Sequence, residues 1–165
     1  MKVMSAWAAL VATTIAMAAP AAAADGAEPY SFLGYAIGQK LEACPVGSRV
    51  SVSEHRRICG LGAAEFVGTA VTAHAVTLFN KEVIGLNLEF GPLGEEAGAW
   101  VLAELRRRFG EPDRAFSQPD LRALVWVRGA VVVHFDSAAG SLAVTDVIKT
   151  EVAKLRVAPP NQVDF

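Results

Sequence analysis

The residues that usually announce a chemistry are scarce in these 165 positions. Cysteine occurs only twice, at Cys44 and Cys59, which is too few for a four-cysteine zinc site, and no Cys-x-x-Cys redox motif is present. The three histidines, His55, His74 and His134, are isolated in sequence. A metal pair of His55 with Cys59 would lack a second pair of ligands. No Gly-x-Ser-x-Gly, His-Glu-x-x-His or phosphate-loop pattern occurs. Gly60-Leu61-Gly62 lacks the third glycine and the strand-to-helix context of a dinucleotide site. Glu95 and Glu96 are neighbours and would point in different directions around a helix, so they form no carboxylate pair. There is no basic excess either: 15 Lys+Arg stand against 17 Asp+Glu. That balance gives no broad attraction to nucleic acid or to an anionic membrane. Catalysis, a cofactor and a metal are therefore not expected.

Long apolar runs are missing after the N-terminus. Within it, Lys2, the apolar stretch Ala6–Ala19 and the small residues Ala22-Ala23-Ala24 have the order of an export signal cut before Asp25. Thr13, Thr14 and Pro20 interrupt that stretch, and it lacks a basic flank beyond, so a membrane anchor is the weaker reading. Residues 1–24 are read as a signal peptide, 25–158 as a single domain, and 159–165, with Pro159-Pro160, as a disordered tail. The expected location is periplasmic or secreted, with no stable membrane insertion after cleavage. In an oxidising compartment two cysteines most simply form one disulfide, here Cys44 to Cys59. Closing a loop of about 15 residues stabilises by about 3 kcal/mol in the chain-entropy picture.

What is present is periodicity. In the stretch Gly94–Phe135, Gly98, Val101, Leu102, Leu105 and Phe109 form one stripe at helical spacing. Glu95 and Glu96 begin that helix and Arg106 to Arg108 end it, each complementing its end of the macrodipole. Gly110 and Pro112 stop it. Trp100 falls off the stripe, either covering a neighbouring loop or serving as an exposed contact. After a polar connector at Ala115–Asp120, Leu121–Val127 and Ala130–Asp136 flank a turn at Arg128-Gly129. This pairs Trp126 with Val131 and leaves Val125, Val127, Val132 and His134 on a second apolar face. Such a face is either covered within the chain or meets a partner, and Trp100, Val125, Val127, Val132 and His134 are taken together as the candidate contact surface. Ser141–Ile148 reads as a last strand and Thr150–Arg156 as a turn or two of helix.

Upstream, Gln39–Ala43 favours a short helix ended by Pro45. Val50–Ser53 reads as a short strand. Thr69–Phe79 and Glu82–Phe90 form a hairpin about Asn80-Lys81. With that turn, Ile84 faces Thr77 and Leu86 faces Ala75. Val71, Ala73, Ala75, Ile84, Leu86, Leu88 and Phe90 then point inward, and Thr72, His74, Val76, Asn87 and Glu89 outward. The expected fold is α+β: a mostly antiparallel sheet of about four to six strands, one main helix packed on one face, and a short N-terminal helix.

The run Leu105–Pro112 (Leu-Arg-Arg-Arg-Phe-Gly-Glu-Pro), then Trp126, Val131–Asp136 and Gly140–Val144, resembles small exported proteobacterial periplasmic modules. The β-lactamase-inhibitor-like modules and the small lipoprotein of the outer-membrane β-barrel assembly machine share this helix/Gly-x-Pro/Trp-hairpin pattern. Related exported proteins carry a Gly-x-x-x-Gly segment that Gly34–Gly38 could match. The lipoprotein's modified N-terminal cysteine has no counterpart here. The resemblance implies protein–protein binding through sheet and loops. The resulting expectation is a soluble, non-catalytic periplasmic interaction module of inhibitor, immunity or envelope-accessory type, whose partner is another envelope protein. The alternative is a small-molecule or lipid binder using the space between helix and sheet, rimmed by Tyr30, Phe32 and Tyr35.

Overall fold

A computed structural model describes residues 30–53, 55–118 and 121–155. The expected signal peptide and tail lie outside these residues. The strands are β1 (Ser31–Phe32), β2 (Tyr35–Ala36), β3 (Arg49–Ser53), β4 (Arg56–Leu61), β5 (Ala64–Phe66), β6 (Thr69–Val71), β7 (Ala73–Phe79) and β8 (Glu82–Glu89). Helix α1 (Glu95–Phe109) follows, then β9 (Arg114–Gln118), β10 (Leu121–Arg128), β11 (Val131–Asp136), β12 (Ser141–Asp146) and α2 (Val147–Leu155). One eight-stranded antiparallel sheet, in the order β3-β4-β7-β8-β12-β11-β10-β9, dominates, with β1-β2 and β5-β6 as two-stranded extras. This corrects the expected four to six strands with one main helix and a short N-terminal one. Among the described residues the architecture is mostly antiparallel β with two helices, and both lie C-terminal to β8.

Three local causes explain part of the difference, and β4, pairing with both β3 and β7, adds a further strand. The first is that Gln39–Ala43 does not become a helix. The backbone of this segment pairs with the start of β8 instead: Gly38 N–H donates to Val83 O, Val83 N–H to Gln39 O, and Leu41 N–H to Lys81 O, each at 2.8 Å. Strand β12 pairs β8 only over Gly85–Glu89, so the earlier groups of β8 need these partners. The second is that the expected polar connector at 115–120 is in part a strand. β9 pairs along β10 from Gln118↔Leu121 to Arg114↔Val125. The third is that Thr69–Phe79 is broken at Thr72, whose N–H donates to Glu89 O at 2.7 Å.

Turn chemistry places the hairpins. Asn80 and Lys81 both hold positive φ, 50° and 64°, as a tight two-residue hairpin turn requires. A bulge follows: Thr77 pairs with Gly85 but Leu78 with Val83, leaving Ile84 over. Beyond it every pair is shifted by one residue, so Leu86 faces Val76, and Asn87 faces Ala75. The inward set expected for this hairpin is therefore wrong for β7. Val76 and Leu78 are buried, while Ala73 and Ala75 lie on the other face. In the β10–β11 hairpin the turn is Gly129-Ala130, and Trp126 faces Val133 rather than Val131. A shift of two residues keeps the faces as expected.

Reading pairs across the sheet, Cys59, Val76, Leu86, Val144, Val133 and Trp126 form one continuous buried row. Helix α1 adds Val101, Leu105 and Phe109 to that core, as its stripe requires, and Phe32, Phe66 and Phe90 pack beside them. Each fully buried side chain of this size contributes roughly 1.5–3 kcal/mol. The Phe109 ring lies 5.9 Å from Tyr30 and 6.4 Å from Trp126. Phe32 and Tyr30 thus belong to the packing of this region rather than to the rim of an open space. Helix α2 forms a second, smaller cluster on the reverse face, where Ala153 meets Phe79 and Ile84. Its N-cap is Asp146, whose Oδ1 accepts from Lys149 N–H at 2.9 Å, so β12 ends two residues before the expected Ile148.

The disulfide Cys44–Cys59 is present, with Cα atoms 5.5 Å apart, and it fastens the N-terminal segment to β4. No helix among the described residues is long and apolar enough to cross a membrane.

Candidate functional site

The sheet face turned away from α1 is half-buried to exposed along most of its width, with α2 over one end. A single register row crosses all eight strands: Arg49, Gly60, Ala75, Asn87, Ala143, His134, Val125 and Arg114. The adjacent row runs Ile58, Thr77, Gly85, Thr145, Val132, Val127. Small residues occupy the middle of both rows, and in the first row charge appears only at the two ends. Ile58 and Val127 are 43% and 44% exposed. Val125, Val127, Val132 and His134 therefore come together on one patch, with Val125 paired to His134 and Val127 to Val132.

Trp100 does not join them. It stands on α1, across the sheet, with its ring against Gly68 in the β5–β6 turn, where a Cβ would meet it at 3.8 Å. The ring nevertheless stays 49% exposed, so Trp100 both covers a loop and presents a surface.

Strand β9, at the end of the sheet, is a strand that reading the sequence missed, as is β4. Arg114, Ala115, Phe116 and Ser117 are all exposed. The only large apolar residue in Arg-Ala-Phe-Ser-Gln is Phe116, so the period-2 signal was nearly absent. On the α1 face of the sheet, a groove of about 650 Å³ runs between the first turns of α1 and β10–β11, with Glu95 in its lining and no residue of β9. Gly98, Ala99 and Leu102 line it from the helix, Arg122 and Leu124 from β10, and Phe135 from β11.

Other polar groups are occupied structurally. His74 Nδ1 is 2.8 Å from Gly62 O, and its ring lies 6.5 Å from that of Tyr35. Cys59 is in the disulfide, so it makes no metal pair with His55. Among the described residues, no three His, Cys, Asp or Glu side chains gather, and no Ser or Thr hydroxyl bonds a histidine. The arginines ending α1 have local work. Arg107 and Arg108 both donate to Glu104, and Arg108 also reaches Ser31 O at 2.6 Å while lying 4.8 Å over the Phe32 ring. Arg107 foremost, with Arg108, holds the Glu104 carboxyl down to about 2. Asp113 is lowered by the Val127 N–H and then by Arg128. Glu82, accepting from Lys149, raises that ammonium.

A second groove, of about 460 Å³, lies over Gly60, Ala73 and Ala75, with Arg49, Asn87 and Glu89 at its margin. The arrangement as a whole offers surfaces and edges rather than a nucleophile beside a base. No protein-family model, curated protein or solved structure matches the chain.

Proposed function

We propose that the protein is an exported, non-catalytic interaction module of inhibitor, immunity or envelope-accessory type, whose partner is another envelope protein. The observation that carries this reading is the sheet face bearing Val125, Val127, Val132 and His134. It is apolar at its three valines, nearly free of charge at its centre, and covered by α2 at one end. Antiparallel sheets that leave one face to water normally line it with polar residues, so an apolar, small-residue face calls for a partner. The signal-like N-terminus and the Cys44–Cys59 disulfide support an oxidising location outside the cytoplasm.

The test places a photo-crosslinking phenylalanine analogue at Val127 in the full chain, expressed into a periplasm. One discrete adduct is expected, and Val132→Glu, which puts a carboxylate into the same patch, should abolish it. Absence of an adduct, or one indifferent to Val132→Glu, overturns this reading.

A further inference from the structure

We propose that the outer edge of β3 receives an extended peptide segment of a partner protein, which adds to the sheet as a further strand. The segment sets an aliphatic side chain, flanked by acidic ones, beside Val52 and Arg57. This rests on the interaction-module reading and adds a second contact, toward the opposite end of the sheet from the Val125–Val132 patch.

Three observations converge. The first is that β3 terminates the eight-stranded sheet, so alternate N–H and C=O groups of Arg49–Ser53 point away from β4. Natural edges are usually guarded by lysine, proline or a bulge, and β3 has none of these. Its one charged residue, Arg49, opens the strand and alternates onto the other face from Val50 and Val52. Those two valines are 52% and 64% exposed, so the edge presents apolar side chains together with unpaired backbone. At the opposite edge, β9 offers an added strand only Ala115 and Ser117 on the corresponding face.

The second is a groove of about 330 Å³ that begins at the edge itself, with Val52 in its lining. Val52, Arg57 and Leu78 are cross-strand neighbours on β3, β4 and β7, so all three project on one face. Leu41 joins them from the segment that the disulfide fastens down. A strand added about 4.8 Å beyond β3 would project alternate side chains beside Val50 and Val52, at the mouth of this groove.

The third is charge. Arg57 is exposed and has no acidic partner among the described residues. Glu42, the one carboxylate in the groove's lining, is taken by Lys81, and His55, Arg56 and Asn80 complete that lining. Along residues 40–61 the chain carries Lys40, Arg49, Arg56 and Arg57 against Glu42 and Glu54, whereas the whole chain has 15 Lys+Arg against 17 Asp+Glu. A free guanidinium and a local basic excess, set among Leu41, Val52 and Leu78, select acidic residues next to an aliphatic one.

The probe is a fluorescein-labelled synthetic peptide, Thr-Glu-Thr-Val-Thr-Glu-Thr, which carries Glu, Val and Glu on one face when extended. Its controls are the same peptide with Lys for both acids, and two forms N-methylated at alternate residues in the two possible phases. The expected results are binding by fluorescence anisotropy, slower hydrogen exchange across 49–53, and loss of binding in one N-methylated phase. Arg57→Glu should weaken the acidic peptide at least about tenfold and favour the lysine peptide. Arg57 makes no hydrogen bond or ion pair through its side chain among the described residues, so this variant should keep the parent melting temperature. Val52→Thr, which keeps the strand preference and removes an apolar methyl, should weaken binding about threefold.

No binding of the acidic peptide overturns the inference, as does binding that leaves exchange over 49–53 unchanged or that Arg57→Glu leaves intact. A small anion found in the groove by native mass spectrometry overturns it in favour of a small-molecule site. A dimer whose β3 amides are already protected overturns it in favour of a second copy. If the peptide fails while the Val127 adduct persists, only this inference falls. If both fail, the module reading falls too.

Discussion

Arg128, beside the tip of the β10–β11 hairpin, donates from its guanidinium to the carbonyl of Phe109, the last residue of α1. The same guanidinium holds Asp113 at 2.7 Å, and the neighbouring Trp126 donates to Gly110 O at 2.9 Å. The hairpin thereby satisfies the carbonyls that a helix end leaves without partners. It also fixes α1 against the sheet. Arg128→Met should lower stability by about 1–3 kcal/mol, since it strips a charged donor from partly buried acceptors. Arg128→Lys should recover only part of this, because an ammonium cannot span both acceptors with a planar fork. Urea unfolding of the three proteins checks the order.

Gly140 allows no side chain. Its φ is +64°, and a Cβ there would lie 1.7 Å from Gly91 O. Gly140 O also accepts from Phe90 N–H at 2.8 Å, so the two turns are pressed together. Gly140→Ala should cost at least about 3 kcal/mol or prevent folding. Gly129 has nearly the same φ, +63°, with open space around it, so Gly129→Ala should cost only about 1 kcal/mol. Equal losses in thermal or urea unfolding would show that backbone conformation alone, not the contact with Gly91, sets the effect.

Acid should act through Glu104. Its folded-state pKa of about 2 lies below the ordinary 4.5, so its contribution is complete above about 4.5 and disappears as pH falls toward 2. With Arg107 exposed to solvent, the amount is of order 1–3 kcal/mol. Glu104→Gln should therefore differ from the parent at pH 7 and converge with it near pH 2. A gap that stays constant across this window would remove the ion pairs as its cause.

Reduction should be costly. Cys44–Cys59 closes a loop of 15 residues and fastens the strand-like 37–41 segment, so breaking it removes about 3 kcal/mol. Thiol labelling before reduction should find no reactive cysteine, and the melting temperature should fall after it. Two labelled thiols in protein recovered from an oxidising compartment would refute the bridge.

The parts legible in the sequence are those decided within a few residues. The α1 stripe, its Gly110 stop, the Asn80-Lys81 turn and the pairing of two lone cysteines depend on local geometry or simple counting. The faces of β10 and β11 were also legible, because an error of two residues in register leaves alternation intact. What could not be read depends on distant partners. The bulge at Ile84 has no marker of its own, yet it moved Val76 into the core and Ala75 out of it. Gln39–Ala43 has helix-forming residues, but the unpaired start of β8 claimed its backbone. β9 is an edge that buries nothing, so its residues never needed to alternate. For the candidate site, the patch around Val125 and Val132 is legible from alternation alone. The groove between α1 and β10 is not, and Trp100, expected on the same contact surface as that patch, stands on the other side of the sheet.

The sheet order also sets when the protein can become itself. Two runs of strands, β3-β4-β7-β8 and β9-β10-β11-β12, are each built from neighbours close in sequence, and they meet only along the five pairs between β8 and β12. Hairpins of the first kind form in microseconds, while this seam must wait for a much longer loop to close. Until β12 has been synthesised, β8 presents an unpaired edge bearing Leu86 and Leu88. A chain handled before its C-terminal third exists is therefore an adhesive half-sheet. Its safe passage depends on staying unfolded until the last strand is in hand.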